Sequence, residues 1–388
     1  MIILNTGTFF LKPAHLFIIR LTDDLMRILR VSPWVYPDTM GGGAYHVHAM
    51  SRDQAALGHD VTVLTTRNDS SLPQVEETDG YTIVRVSPGV TLLGNDISPA
   101  VARYLWGTTE SFDVVHAHSH YYFSTNLAAI KRRLDGVPLA ITNHGLYTQN
   151  APEQVFALYL QTIGRWTFNQ ADRIFCYTEE DKRRVRELGV SSSIEVISNG
   201  IDTERFTPEG PVSKQIDATG PVVLFVGRLV EGKRPEVAIK SFAEVRASLP
   251  EAELYLCGEG PLQSELIELA AEHNIREAVT FLGQVPYGEM PAVYRGADVL
   301  VLPSRAEGVP RTIMEALASG VFVVSSDLPQ VRSAFGDDVE YVDGVDATVF
   351  GEAICEGIDV SGSTLESTFR WDRTVRETTE QLSAIIDG

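Results

Sequence analysis

From Met26 onward the chain alternates short apolar runs with longer amphipathic stretches, stops, and then starts the same alternation again. The first set of runs is RILRVS, DVTVLTT, YTIVRV, DVVHAH, PLAITN, DRIFCYT and IEVIS. Helical patterns at Tyr45–Leu57, Asn126–Leu134, Glu153–Asn169 and Glu179–Leu188 lie between them. Near-continuous apolar strands joined by helices predict a parallel sheet covered on both faces. Residues 205–220, RFTPEGPVSKQIDATG, carry Pro, Gly and polar residues without periodicity and read as a linker. The second set is VVLFVG, ELYLCG, VTFLG, DVLVLP and VFVVSS, with helices near Pro235–Ser248, Leu262–His273, Tyr287–Tyr294 and Thr312–Ala318. The predicted class is α/β, with two Rossmann-like doubly wound domains facing across a cleft. One domain takes residues 26–208 with 372–388, the other 209–371. The last segment, Trp371–Ile386, is either a free tail helix or a crossing back to the first domain. Ligands are expected at the carboxyl ends of the strands, in the cleft.

A length of 388 residues fits two such domains. With 52 acidic against 32 basic residues the formal charge is −20, which excludes nucleic acid as a main partner, since phosphate binding needs a positive stripe. The basic residues are 26 Arg and 6 Lys. An acidic, lysine-poor surface suits a salt-rich, halophilic cytoplasm, though an ordinary acidic protein has the same balance. Cys176, Cys257 and Cys355 lie far apart without CxxC spacing, so neither a disulfide framework nor a zinc knuckle is expected, as in a reducing, cytoplasmic setting. No apolar run reaches the roughly 18 to 20 residues that cross a bilayer. Residues 1–25 are broken by Lys12, Pro13, His15, Arg20 and Asp23–Asp24, make a poor signal peptide, and are expected to lie outside the fold. The basic runs Lys131–Arg133 and Lys182–Arg184 read as solvated helix faces, with at most peripheral contact to anionic lipid headgroups.

The most specific signal is Glu307-Gly308-Val309-Pro310-Arg311-Thr312-Ile313-Met314-Glu315, where strand DVLVLPS leads into a helix. Glu307 falls in the loop at the strand's carboxyl end and Glu315 about two turns into the helix. Backbone N–H groups around Gly308–Thr312 are then free at a helix start, a site suited to an anion. Carboxylates before and behind those amides suit hydroxyl-rich groups on either side of a phosphate. Gly227-Arg228 follows strand VVLFV, and Lys233 comes five residues after Arg228. A planar fork and a point charge fixed together neutralise a diphosphate. Gly258 and Gly260 in GEGP after ELYLC allow close approach of a ligand, and a plain strand-to-helix turn explains them equally well. Gly41-Gly42-Gly43 precedes a helix but fails the dinucleotide fingerprint, with His46 at the third glycine position. Its amides still suit a phosphate or a sugar hydroxyl. His116, His118 and His120 alternate along DVVHAHSH, and His144 ends PLAITNHG. Metal is not the first choice, because no carboxylate or cysteine completes a ligand set nearby.

In this context and order, VISNGIDTERF, VGRLVEGKRP, CGEGPL, LGQVPYGEM and DVLVLPSRAEGVPRTIMEALASG resemble the retaining glycosyltransferases of the GT-B fold, the large family-four group (glycosyl transferases group 1). The similarity covers about residues 26–388. It implies a hexosyltransferase-class enzyme that moves a sugar from a nucleoside-diphosphate sugar to an acceptor hydroxyl. The first domain would bind the acceptor and the second the donor. By the resemblance, Arg228 and Lys233 bind the leaving diphosphate, Glu307 holds the sugar's hydroxyls and Glu315 the ribose. Val285 presents backbone groups to the base, and His118 and His144 lie in the cleft, His144 near the transferred sugar. The Gly41–Gly43 loop lies near acceptor and diphosphate. No cofactor beyond the donor and no metal is expected, there being no Asp-x-Asp motif. The acceptor, lipid-linked or glycan, stays open, with roles in surface glycan, glycoprotein or glycolipid assembly. A sugar-nucleotide epimerase of the same architecture and a non-catalytic sugar-nucleotide-binding paralogue are the alternatives. A nicotinamide dehydrogenase is disfavoured by the broken glycine fingerprint.

Overall fold

The computed structural model describes residues 25–147, 152–360, 362–363 and 365–387. The expectation for residues 1–25 therefore falls, apart from Leu25, outside the described residues. The chain begins with β1 (Arg27–Val31), α1 (Gly42–Ala56), β2 (Asp60–Thr66), β3 (Val75–Thr78) and β4 (Tyr81–Val86). A small hairpin, β5 (Val90–Leu92) and β6 (Asn95–Ile97), comes next, then α2 (Pro99–Gly107), β7 (Val114–His118) and α3 (Phe123–Asp135). After β8 (Leu139–Thr142) follow α4 (Glu153–Tyr159), a π-helical turn at Leu160–Gly164, α5 (Arg165–Phe168), β9 (Arg173–Cys176), α6 (Glu179–Glu187) and β10 (Ser193–Val196). The eight-stranded sheet has the order β10-β9-β8-β7-β1-β2-β4-β3, parallel except for the β3 edge. Chain order reverses between β1 and β7, so a crevice opens at their carboxyl ends.

The second unit contains β11 (Val222–Val226), α7 (Pro235–Ser248), β12 (Glu253–Cys257), α8 (Gln263–Glu272), β13 (Val279–Gly283), α9 (Met290–Tyr294) and β14 (Val299–Leu302). It continues through α10 (Arg311–Ala318), β15 (Phe322–Ser326), α11 (Pro329–Phe335), β16 (Glu340–Val342) and α12 (Ala347–Gly357). All six strands are parallel in the order β13-β12-β11-β14-β15-β16, which puts the second reversal between β11 and β14. Buried residues line both faces of this sheet, Leu224 and Leu300 on one and Val223 and Val299 on the other. That two-sided burial is why these strands read as unbroken apolar runs.

Helix α13 (Trp371–Ile386) crosses back to the first sheet. Its Leu382 is fully buried in one core with Met26, Ile28, Val61 and Ile83. Thr379 Oγ1 accepts from Gln54 Nε2 at 2.9 Å, and Trp371 Nε1 donates to Asp53 at 2.5 Å. The two passages between the units run side by side. Ile201 N–H donates to Phe369 O and Trp371 N–H to Ile201 O, each at 2.9 Å. Residues 205–220 form no helix or strand, and Arg295 ties them to α9 through Pro211 O and Thr207 O.

Several elements differ from the sequence reading. α1 begins at Gly42, not Tyr45, because Gly41 at φ 138° turns the chain into the helix directly. The predicted helix at Tyr287–Tyr294 shrinks to α9, since Pro286 and Gly288 occupy its start. The short strands β3, β5, β6 and β16 and the helices α2, α11 and α12 were not anticipated. β3 and β5 are largely exposed and therefore lack an apolar pattern.

Candidate active site

On the second unit, the loop from β14 into α10 carries Glu307, which is buried, and the Lys233 ammonium is ion-paired with its Oε1. Lys233 ends the 3₁₀ turn Glu231–Lys233, and Arg228 lies just past the end of β11. The pairing supplies the counter-charge a buried carboxylate needs. Gly227 packs against the Lys233 side chain. α10 starts at Arg311, so Glu315 sits little more than one turn into it, not two as the sequence suggested. The N–H groups of Arg311 and Thr312 come before the helical ladder of α10, which opens with Ile313 N–H donating to Pro310 O at 3.2 Å, and Thr312 Oγ1 and Ser304 Oγ are buried without a hydrogen-bond partner. The first amides of α10 and its positive end offer a place that suits an anion.

Gly258 and Gly260 serve a contact within the protein. A Cβ on Gly258, whose φ is 139°, would lie 2.0 Å from Gly227 O, and one on Gly260 would lie 2.2 Å from Leu229 O. The two donor-end loops approach each other too closely for a side chain. Val285 is buried and its backbone hydrogen-bonds the Cys257 thiol.

On the first unit, the ends of β7 and β8 present a hydrogen-bonded row. His118 Nδ1 is 3.0 Å from His144 Nε2, and His144 Nδ1 is 2.9 Å from the Tyr177 hydroxyl. Burial drives the His144 pKa down to about 4 and holds His118 well below its ordinary value, with the neighbouring histidines adding to the effect at His118. Both rings are neutral near pH 7. His116 lies deeper, 2.7 Å from Thr142 Oγ1 and 3.4 Å from the buried Arg30 guanidinium, a structural position. Among the described residues no group of three or more His, Cys, Asp or Glu could hold a metal ion. His120 packs on Phe168 at 4.7 Å between ring centroids.

The units touch directly. A Cβ on Gly308 would stand 2.8 Å from His144 O, so the motif glycine lets the His144 loop settle on it. Gly42 lies against the Arg311 side chain, which brings the N-termini of α1 and α10 face to face, with Gly41 and Gly43 flanking the contact. Arg311 itself serves the joint. Its guanidinium donates to Gly200 O and to the Tyr287 hydroxyl, each at 2.8 Å, and sits over the rings of Tyr45 and Trp371. Val309 is buried, and Pro310 caps α10. The Glu315 oxygens accept one hydroxyl each, from Tyr287 and Tyr294 at 3.0 Å. Burial raises the Glu315 pKa, opposed by Arg311 and the two phenols.

Sequence reasoning missed the aromatic residues of this cleft. Tyr45 packs at a tilt against Tyr287 across it, with ring centroids 3.9 Å apart. Tyr147 meets Gly308 through the latter's backbone and feels both Glu307 and Arg228; Tyr122 also feels Arg228. Tyrosines scattered along a chain leave no periodic signal, so only their convergence identifies them. The site combines fixed positive charge, a helix N-terminus and a bracketing carboxylate on one wall with neutral histidines on the other. Such a wall can stabilise negative charge on a departing phosphate.

Comparison with known proteins identifies the family and the fold. Residues 40–205 match the model of Glycosyltransferase Family 4, and residues 207–358 match Glycosyl transferases group 1. A glycogen synthase of Mycobacterium tuberculosis is 31% identical over 332 residues, 78% of each chain. A D-inositol 3-phosphate glycosyltransferase of Nocardia farcinica is 30% identical over 344 residues, covering 80% of this chain and 75% of the relative. Sucrose-phosphate synthase from Thermosynechococcus elongatus superimposes with a TM-score of 0.77 at 20% identity, covering 93% of this chain and 99% of the other. Anabaena HepE in complex with UDP-glucose gives 0.75 at 18%, covering 92% and 100%. With two facing, largely parallel sheets, both domain models matched in order and a relative above 30% identity, the chain belongs to the GT-B glycosyltransferases of the family 4, group 1 type.

Proposed function

We propose that this enzyme transfers a sugar from a nucleoside-diphosphate sugar to an acceptor hydroxyl with retention of anomeric configuration. The observation that carries the reading is the Lys233–Glu307 pair beside Arg228 and the α10 N-terminus, opposite His144. The bond to the sugar breaks as charge gathers on the diphosphate. Arg228, Lys233 and the amides after Glu307 meet that charge in a preorganised site. Donor entry exchanges partners: the diphosphate takes the Lys233 ammonium, and the released Glu307 carboxylate turns to the sugar hydroxyls. His144, neutral and held by Tyr177, offers a hydrogen bond to the sugar from the other wall. Glu315 takes the ribose hydroxyls in place of the two phenols, and Val285 borders the base. The HepE complex with UDP-glucose supports a nucleotide-sugar donor.

No metal ion or further cofactor enters this reading. The acceptor belongs to glycan, glycoprotein or glycolipid assembly on the cytoplasmic side, with at most peripheral membrane contact; no described helix is long and apolar enough to cross a membrane. Incubation with UDP-, GDP-, ADP- and dTDP-sugars, each with a panel of saccharide and polyol acceptors, tests it. Release of nucleoside diphosphate and an α-linked product from an α-linked donor are expected, read by proton NMR. A β-linked product overturns retention, and an epimerised donor without transfer overturns transfer.

A further inference from the structure

The crevice of the first sheet holds a small notch that the chemistry above does not use. Asp96 of the hairpin, Ser124 at the start of α3, Tyr122, and Thr65 and Thr66 at the end of β2 line it, together with apolar Leu64 and Val101. Its volume is about 10 Å³, room for a single water-sized group. Two of its polar atoms are buried and lack a hydrogen-bond partner: Asp96 Oδ2 and Ser124 Oγ. Ser124 is only 8% exposed. Asp96 is fixed from the other side, since its Oδ1 accepts from Gly89 N–H at 2.7 Å. Asn95 holds the hairpin to α3, accepting from Phe123 N–H at 2.9 Å and donating to Tyr121 O at 2.7 Å. The walls are therefore rigid while one carboxylate oxygen and one hydroxyl stay unspent. Buried polar atoms left in that state are costly unless something bonds them.

We propose that this notch is the specificity pocket for the acceptor, and that it takes one hydroxyl of a neutral polyol or saccharide while turning away phosphorylated acceptors. The inference rests on the transferase reading and names the acceptor's chemical class. A hydroxyl fits in size, donates to Asp96 Oδ2 and pairs with Ser124 Oγ. A phosphate fails twice: it exceeds a water-sized space, and it would lie against a carboxylate with no lysine, arginine or histidine in the lining to balance it. Tyr122 joins the notch to the cleft: it lines the notch and meets Trp34 edge-on with ring centroids 4.4 Å apart, and Trp34 reaches to Gly43 at the start of α1. A site built to bond a hydroxyl discriminates strongly against a ligand that leaves its polar atoms unpaired.

The test compares myo-inositol, glucose and maltose with inositol phosphate and glucose 6-phosphate, using a donor whose binding is first established by calorimetry. The expected kcat/KM for the phosphorylated compounds is below about one hundredth of that for the best neutral one. Asp96→Asn, which retains an acceptor for Gly89 N–H, raises the acceptor KM about tenfold or more, and Ser124→Ala raises it severalfold, with kcat retained. Phosphorylated acceptors used as well as neutral ones, or no turnover of any neutral compound while donor is bound, overturns the proposal. An unchanged acceptor KM in Asp96→Asn overturns it as well. Failure of every donor to bind instead removes the transferase reading, so the two failures are distinct.

Discussion

The Lys233–Glu307 pair ties stability to function, because each group is the other's counter-charge inside the protein. Removing one partner strands the other, at a cost of about 3 kcal/mol. Lys233→Met and Glu307→Gln are therefore each expected to lower the denaturant midpoint, and the double variant to recover most of the loss. Simple additivity of the two single effects would show that the pair is not coupled. Glu307→Ala and Lys233→Ala are further expected to cut kcat by about 10²–10³ or more with the circular dichroism spectrum unchanged. The histidines make a separate prediction. His46, His116, His118, His120 and His144 all have pKa values pushed below the ordinary 6.5, chiefly by burial, with His120 at about 3 and His144 at about 4. The unfolded chain then binds more protons than the folded one below about pH 6.5, so stability falls as pH drops toward 4, by up to about 1.4 kcal/mol per pH unit for each histidine. Denaturation at pH 7, 6 and 5 checks this; equal midpoints would contradict it. At this scale the strand-end positions of His118 and His144 were legible in the sequence and their place in the cleft came from the family resemblance, whereas nothing in the sequence placed the Arg311 side chain. Its neighbours in the motif suggested the donor, yet its guanidinium bonds Gly200 O, 111 residues away in sequence.

Among the elements, the glycine turns show how a correct position carries a different cause. GEGP reads equally as an opening for a ligand and as a plain strand-to-helix turn, and in the fold it is where two loops meet backbone to backbone. Gly260→Ala is expected to destabilise the second unit by about 1–3 kcal/mol, measured by thermal melting, even with no donor present. A melting temperature equal to the parent's would return the glycine to a purely ligand-facing role. Helix α13 shows the converse. Its apolar stripe was visible, but a stripe does not name the surface it covers. Leu382 packs with strands more than 270 residues earlier, because the return passage pairs with Ile201 and aims the helix at α1. The hairpin β5–β6 had no signal, being short and largely exposed, although it supplies Asp96 to the notch beside Ser124.

Across the whole molecule, the charge of −20 acts against compactness and is screened by salt. Raising potassium chloride from low concentration to roughly 2 M is expected to raise the melting temperature by several degrees. Equal melting temperatures would remove the high-salt reading of this surface. The sequence by itself determined the class: strand and helix alternation, the break at 205–220 and the Glu307–Glu315 spacing are local patterns, set by burial periodicity and by the needs of a strand–loop–helix turn. Tertiary structure alone decided which groups meet. Lys233 with Glu307, His144 O over Gly308, Tyr45 on Tyr287 and Asp96 beside Ser124 join residues from different loops or different units. Such meetings follow from the two strand-order reversals and the return of α13, which no local pattern encodes because they are set by how the sheets pack and face each other.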